Sequence, residues 1–192
     1  MLPFAIFAGL LTGWAGTLWL HSVWRLPDFR YTWVVALFFV PQFLAFYLPV
    51  TRTQMSTPVV AACLIISQLG LLSFCLYNWQ LSGMPILALG LILNLLVIIA
   101  NGGLMPLSTT SAAYLLPEQV LSTLKIGARF GNSKDVLLTA EAIRLPWLAD
   151  RYLSPNWIPY RFVFSFGDMV IAIGSFLMLA FPKNSVTDSQ ER

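Results

Sequence analysis

Residues 85–106 read PILALGLILNLLVIIANGGLMP. The run from 85 to 100 is apolar except for Asn94, and it stops on Asn101, Gly102 and Gly103, with Met105 and Pro106 close behind. Pro85 suits a helix start, because the first turn has no intrahelical acceptor for the amide hydrogen that proline lacks. Glycine after a helix takes the left-handed conformation that closes orphan carbonyls. A second glycine lets the chain turn sharply or approach another backbone. The stretch therefore predicts an apolar helix with a specified end. In lipid every backbone amide must be bonded internally, which again requires a helix.

Comparable runs occupy residues 3–20, 31–50, 58–77 and 162–181. The chain is 58% hydrophobic and 10% charged, whereas soluble domains are about 25% charged. Runs of about 20 apolar residues match a hydrocarbon core of roughly 30 Å. The expectation is an all-α integral membrane protein with about five transmembrane helices. Residues 1–182 form one polytopic domain, and residues 183–192 a flexible polar tail. Pro58 marks a helix start, whereas Pro41 lies mid-run and predicts a kink. Trp19, Trp24, Tyr31, Trp33, Tyr77, Trp79, Tyr152, Trp157 and Tyr160 gather at run ends, where amphipathic rings favour the headgroup level.

Residues 101–161 are too long for a plain connection and too rich in apolar anchors for disorder. They predict a structured, partly helical extramembrane segment of about 60 residues. Within it, LPEQVLSTLKIG (116–127) reads as a short helix with Val120, Leu121 and Leu124 on one face. RLPWLADR (144–151) reads as a turn that anchors Trp147.

Net charge is +3, with no basic stripe interleaved with aromatics, so nucleic acid is not an expected partner. Membrane lipids are expected, with a membrane-protein partner or a second copy of the chain. Lys and Arg counts leave the orientation open. Cys63 and Cys75 read as apolar fillers, and His21 as a surface group. HExxH, GxSxG and CxxC do not occur, and GARFGNSK (127–134) has the wrong order for a phosphate loop. No catalytic residues, metal or cofactor are expected.

Polar residues within the apolar runs are the remaining candidates. Asp168 has three readings. SFGD (165–168) fits a capping box, with Ser165 as N-cap and Asp168 three residues on. Asp168 also suits a ligand or proton role, or pairing with an arginine of the long segment. Asn94 and Gln42 read as amides that bridge helices. The ends of the fourth and fifth runs lie on one membrane face. Asn101 is thus expected to meet the cap of Ser165, Gly167 and Asp168, with Pro146 and Trp147 folded over both. Arg144 or Arg151 would neutralise Asp168 or Asp150. Gly9 and Gly13 have GxxxG spacing, and with Ala8 and Gly16 allow close helix approach.

NGGLMP (101–106), RLPWLAD (144–150) and FSFGDMVIAIG (164–174) resemble the hallmark blocks of a small bacterial integral-membrane family, a domain of unknown function. The likeness covers most of the chain and is most specific from Asn101 to Gly174. It implies an acid near Arg144, and Glu141 stands there at altered spacing. It also implies a multi-pass protein of the bacterial plasma membrane. Arg25 and Arg30 would be cytoplasmic and residues 101–161 outside. It implies no activity.

The functional expectation is a non-catalytic accessory or assembly subunit, or a binder of a lipid or apolar ligand. The alternative is a small-solute or proton carrier using Asp168, Asn94 and Asn101. A membrane enzyme would need Glu141, Arg144, Asp150 and Asp168 to converge on one pocket.

Overall fold

Local signals set most helix boundaries. The computed structural model describes residues 2–20 and 25–182, and of residues 17–20 and 52 the backbone alone. His21, Trp24, the Trp19 side chain and the tail 183–192 lie outside the described residues. The long helices are α1 (Leu2–Leu20), α2 (Thr32–Phe46), α4 (Thr57–Tyr77), α5 (Met84–Ala100) and α8 (Phe166–Ala180). Among the described residues the shorter helices are α3 (Pro49–Arg52), α6 (Thr109–Leu115) and α7 (Glu118–Leu121), with a 3-10 turn at Ala140–Ala142. Pro58 and Pro85 sit in the first turns of α4 and α5, where the missing amide hydrogen is harmless. The protein is mostly helical. Among the described residues one helix, Thr57–Tyr77, is both long and apolar enough to cross a membrane by length and composition. It spans about 32 Å at 1.5 Å per residue.

Three boundaries and the all-α expectation need correction. The second run continues helically through Pro41 but ends at Phe46. Pro49 holds the preceding Leu48 extended (φ −81°, ψ 115°), so α3 is a separate turn. The last run begins its helix at Phe166, because Ser165 is extended and caps it. The helix expected within 116–127 reduces to the single turn α7.

The long segment between α5 and α8 also contains strands. Parallel β1 (Met105–Ser108) and β2 (Asp135–Leu138) place Met105 opposite Asp135. Antiparallel β3 (Tyr152–Leu153) and β4 (Val163–Phe164) form a second small sheet. β1 and β2 are almost wholly buried and lack the alternation that announces a half-exposed strand.

The long helices pack in the order α2, α4, α5, α8, α1, so the first helix lies beside the last. α2 and α4 are antiparallel: Tyr31 packs on Tyr77 with ring centroids 5.0 Å apart, and the Phe38 ring occupies the notch at Gly70. α5 and α8 are also antiparallel. Gly83 abuts Gly174 and Gly90 abuts Gly167, so the two backbones approach closely. α1 reaches α8 through Gly9, where a Cβ would stand 3.0 Å from Leu179 Cβ. Gly16 meets nothing within 4 Å.

The main core joins α4 and α5 to β1 through Val60, Leu64, Val97, Ile98, Leu104 and Met105. A second core lies at the other end of the helices, around Cys75, Met84, Ala88 and Leu91. The outward faces remain apolar, with Phe7, Leu37, Leu69, Leu89, Ile99 and Ile173 exposed.

Candidate functional site

Ser165 is where α8 begins and where the polar centre is built. Its Oγ accepts from the Asp168 amide at 2.9 Å, and Asp168 Oδ2 accepts from the Ser165 amide at 3.1 Å. The capping box expected at SFGD is therefore present. Asn94 of α5 reads both members. Its Nδ2 donates to Asp168 Oδ1 at 2.9 Å, and its Oδ1 accepts from Ser165 Oγ at 2.9 Å. Asn94 and Ser165 are buried, so this closure satisfies groups that would otherwise be costly to desolvate. Gly167 makes the fit possible: a Cβ there would stand 2.0 Å from Asn94 Oδ1.

The other half of the centre hangs on β1. The Met105 amide donates to the Lys134 carbonyl at 3.0 Å, and the Asp150 amide donates to the Pro106 carbonyl at 3.2 Å. β1 thus holds Lys134 on one side and Asp150 on the other. Lys134 arrives on a hairpin that runs back along β2. Leu137 donates to the Ala128 carbonyl at 3.0 Å and Phe130 to the Asp135 carbonyl at 2.8 Å. Gly131 supplies the positive φ of 59° at the turn. Lys134 Nζ lies 3.4 Å from Asp150 Oδ2 and 3.8 Å from Asp168 Oδ2. One ammonium therefore connects the segment between α5 and α8 to the N-terminal cap of α8.

The charges are unequal in environment. Asp150 is 3% exposed and its Oδ1 has no hydrogen-bond partner. Burial pushes its carboxyl up to about 8, against the pull of Lys134 and with the push of Asp135 and Asp168. Burial also works against the Lys134 ammonium. The carboxylates of Asp150, Asp168 and Asp135 outweigh it and hold Lys134 above the usual lysine range.

Asn101 does separate work. Its Nδ2 donates to the carbonyls of Val97 and Arg144, each at 2.8 Å, and its Oδ1 accepts from the Arg144 amide at 2.9 Å. The side chain pairs with the Arg144 backbone much as a strand would, and fixes the RLPW turn on the end of α5. Gly102 and Gly103 have φ of 83° and 94°. The Gly103 amide closes on Ile98 O at 2.8 Å, and Ala61 Cβ leaves no room for a side chain there.

A family model matches residues 27–180. The chain belongs to DUF5317, a family of unknown function. No curated protein and no solved structure matches it. The DUF5317 match spans Asn94, Lys134, Asp150, Ser165 and Asp168, and leaves α1 outside.

Several expected placements change within this DUF5317 chain. Asn94, two turns inside α5, meets the α8 cap in place of Asn101. Lys134, in place of Arg144 or Arg151, pairs with both acids. Glu141 and the Arg144 side chain are exposed and form no ion pair among the described residues. Pro146 and Trp147 are exposed. Pro146 instead lines a cavity of about 320 Å³ with Ser108, Ser111, Asp150 and Arg151. Gln42 lines another, of about 420 Å³, with Asn132, Ser133 and Lys134, and makes no hydrogen bond between helices among the described residues. Lys134 is the residue that sequence reasoning missed. Its signal was the hairpin pattern: Gly131 and Asn132 between short flanks ending in Val136 and Leu137.

Proposed function

We propose that this chain is a five-helix protein of the bacterial plasma membrane that holds an elongated apolar ligand, such as an acyl chain. The observation that carries this reading is a groove of about 540 Å³ to which all five long helices contribute. Ile6, Val35, Phe74, Leu87 and Met178 represent its walls, and no charged residue lines it. Ser175, one of its few hydroxyls, is already bonded to the Ile171 carbonyl at 2.9 Å. Such a lining offers dispersion contacts and no directional polar recognition, which suits hydrocarbon. Exposed apolar side chains around the helices support the membrane assignment, since soluble proteins rarely leave such continuous patches bare. In this reading residues 101–161 form an extramembrane cap on the outer face, the orientation that the family resemblance implied.

The test begins with the tagged chain purified from its native membrane in mild detergent, followed by mass spectrometry of whatever co-elutes. One defined apolar molecule at near-stoichiometric amount is expected. Leu87→Trp, which fills the groove, should lower its occupancy at least about tenfold, while the protein still elutes as a folded species. Bulk membrane lipids in native proportion, with no effect of Leu87→Trp, would refute the reading. A stoichiometric protein partner would favour an accessory subunit instead.

A second reading rests on a different observation. Asp150 and Lys134, an ion pair at 3.4 Å, each line a different cavity. That arrangement favours a proton or small-solute carrier working through Asp168. Proton uptake into liposomes that Asp168→Asn abolishes would support it, and uptake indifferent to that change would exclude it.

A further inference from the structure

The apolar groove adjoins a smaller cavity of about 190 Å³. Phe29 and Cys75 line the groove, and the next residues along the chain, Arg30 and Leu76, line the cavity. Leu81 joins the two. It is 3% exposed, lines the cavity, and packs in the core cluster of Cys75 and Met84, which line the groove. Asn78 fixes the junction. Its Oδ1 accepts from the Arg30 amide at 2.7 Å, and its Nδ2 donates to the carbonyls of Arg30 and Phe74, each at 2.9 Å. Those bonds hold the chain entering α2 against the end of α4. The rings of Phe29 and Phe74 pack with centroids 5.9 Å apart.

The cavity carries an unspent positive charge. Arg30 is exposed, lines it, and joins no ion pair among the described residues; the recorded pairs belong to Lys134. Asp28 is close in sequence but forms no ion pair with it. No carboxylate lines the cavity. Trp79 and Gln80 line it, are exposed, and add neutral donors through indole and carboxamide. An accessible guanidinium without a carboxylate partner recognises anionic oxygens, two at once in its forked geometry. Tyr31, Tyr77 and Trp79 are exposed around this end of α4. Amphipathic rings of that kind favour the headgroup level of a bilayer. The groove is thus apolar along its length and has a charged neighbour at one end.

We infer that the ligand of the groove is an amphiphile with an anionic head, its hydrocarbon lying along the groove and its head held in the adjoining cavity by Arg30. The inference rests on the reading of the groove as an acyl-chain site and adds the chemistry of the head. A lipid phosphate and a fatty-acid carboxylate share that chemistry.

The experiment measures binding of dodecyl phosphate, laurate and dodecanol, which share one chain length, to the full chain in non-ionic detergent. At least one anionic probe should bind about tenfold or more tighter than dodecanol. Arg30→Gln should abolish that preference and leave dodecanol binding unchanged, since Asn78 holds the Arg30 backbone and not its side chain. Arg25→Gln, at an exposed arginine outside the cavity lining, is the control for general surface charge and should leave the preference intact. An Arg30-dependent preference for dodecyl phosphate alone supports the site with a lipid phosphate as the head; the same preference for laurate supports it with a carboxylate. Leu87→Trp should weaken every probe, which tests the groove itself. Equal binding of the three probes, lost in Leu87→Trp, would overturn the anionic head and leave the apolar groove standing. Binding indifferent to Leu87→Trp, or no binding at all, would remove the groove reading and this inference with it. A preference for the anionic probes that persists in Arg30→Gln, or that Arg25→Gln lowers as much, would overturn the role of Arg30.

Discussion

Asp150 shows how one residue sets the chemistry of the cap. It is buried and faces Lys134, Asp135 and Asp168, and its carboxyl is raised from the ordinary value near 3.8 to about 8. Between those two values the folded chain holds more protons than the unfolded chain, so stability falls as pH rises. The contribution is fully present below about pH 4 and lost as pH passes through about 8. Lys134 does not offset this trend, because it stays charged to above the usual lysine range. Thermal unfolding of the detergent-solubilised chain should therefore weaken from pH 5 to pH 8, by at most about 1.4 kcal/mol per pH unit. Asp150→Asn should flatten that slope while leaving Lys134 its pairing with Asp168. An equally steep slope in the variant would show that another group titrates.

At the scale of elements, the pairing of α5 with α8 depends on glycines seven residues apart on each helix: Gly83 and Gly90, Gly167 and Gly174. A Cβ at Gly90 would stand 2.8 Å from the Gly167 carbonyl oxygen and 2.7 Å from Ile171 Cγ1. Gly90→Leu should drive the helices apart, break the Asn94 bonds to Asp168 and Ser165, and cost about 3 kcal/mol. Gly16→Ala, with nothing within 4 Å, is the control and should leave the melting temperature unchanged or raised. Equal melting temperatures for Gly90→Leu and wild type would contradict the close packing. These glycines mark the limit of what the sequence made legible. Helix starts at Pro58 and Pro85, the stop at Gly102 and Gly103, and the Ser165 cap are local signals, and each was readable. Gly9 and Gly13 drew attention because their GxxxG spacing lies within one helix. The Gly90–Gly167 contact joins residues far apart in the chain, and spacing within either helix does not reveal its partner. The same reason hid β1 and β2, which are four residues each and buried on both faces. It also hid Lys134, whose contact with Asp168 exists only once both the hairpin and the cap have formed.

At the scale of the whole molecule, the order α2, α4, α5, α8, α1 places the ion cluster and the apolar groove on different foundations. The cluster uses α5, α8 and the cap, all within the part of the chain that matches DUF5317. The groove also needs α1, which supplies Leu2 and Ile6 and lies outside that match. α1 is seated on α8 at Gly9, where a Cβ would meet the Phe176 carbonyl oxygen and Leu179 Cβ, each at 3.0 Å. Gly9→Leu adds bulk where no neighbouring atom can yield cheaply, because one of the two contacts is backbone. The expected outcome is separable damage. Amide hydrogen exchange should accelerate in α1 and on the α8 turns around Phe176, and occupancy of the groove by the proposed apolar ligand should fall. Exchange at Asn94 and in the first turn of α8 should remain slow, because their bonds to one another and to Lys134 do not involve α1. Faster exchange spreading through α5 and the cap would mean that the molecule unfolds as one unit, with α1 part of the scaffold that holds the cluster. Damage confined to α1, the outer face of α8 and the groove would make α1 a removable wall of a binding site, added to a core that carries its own polar centre.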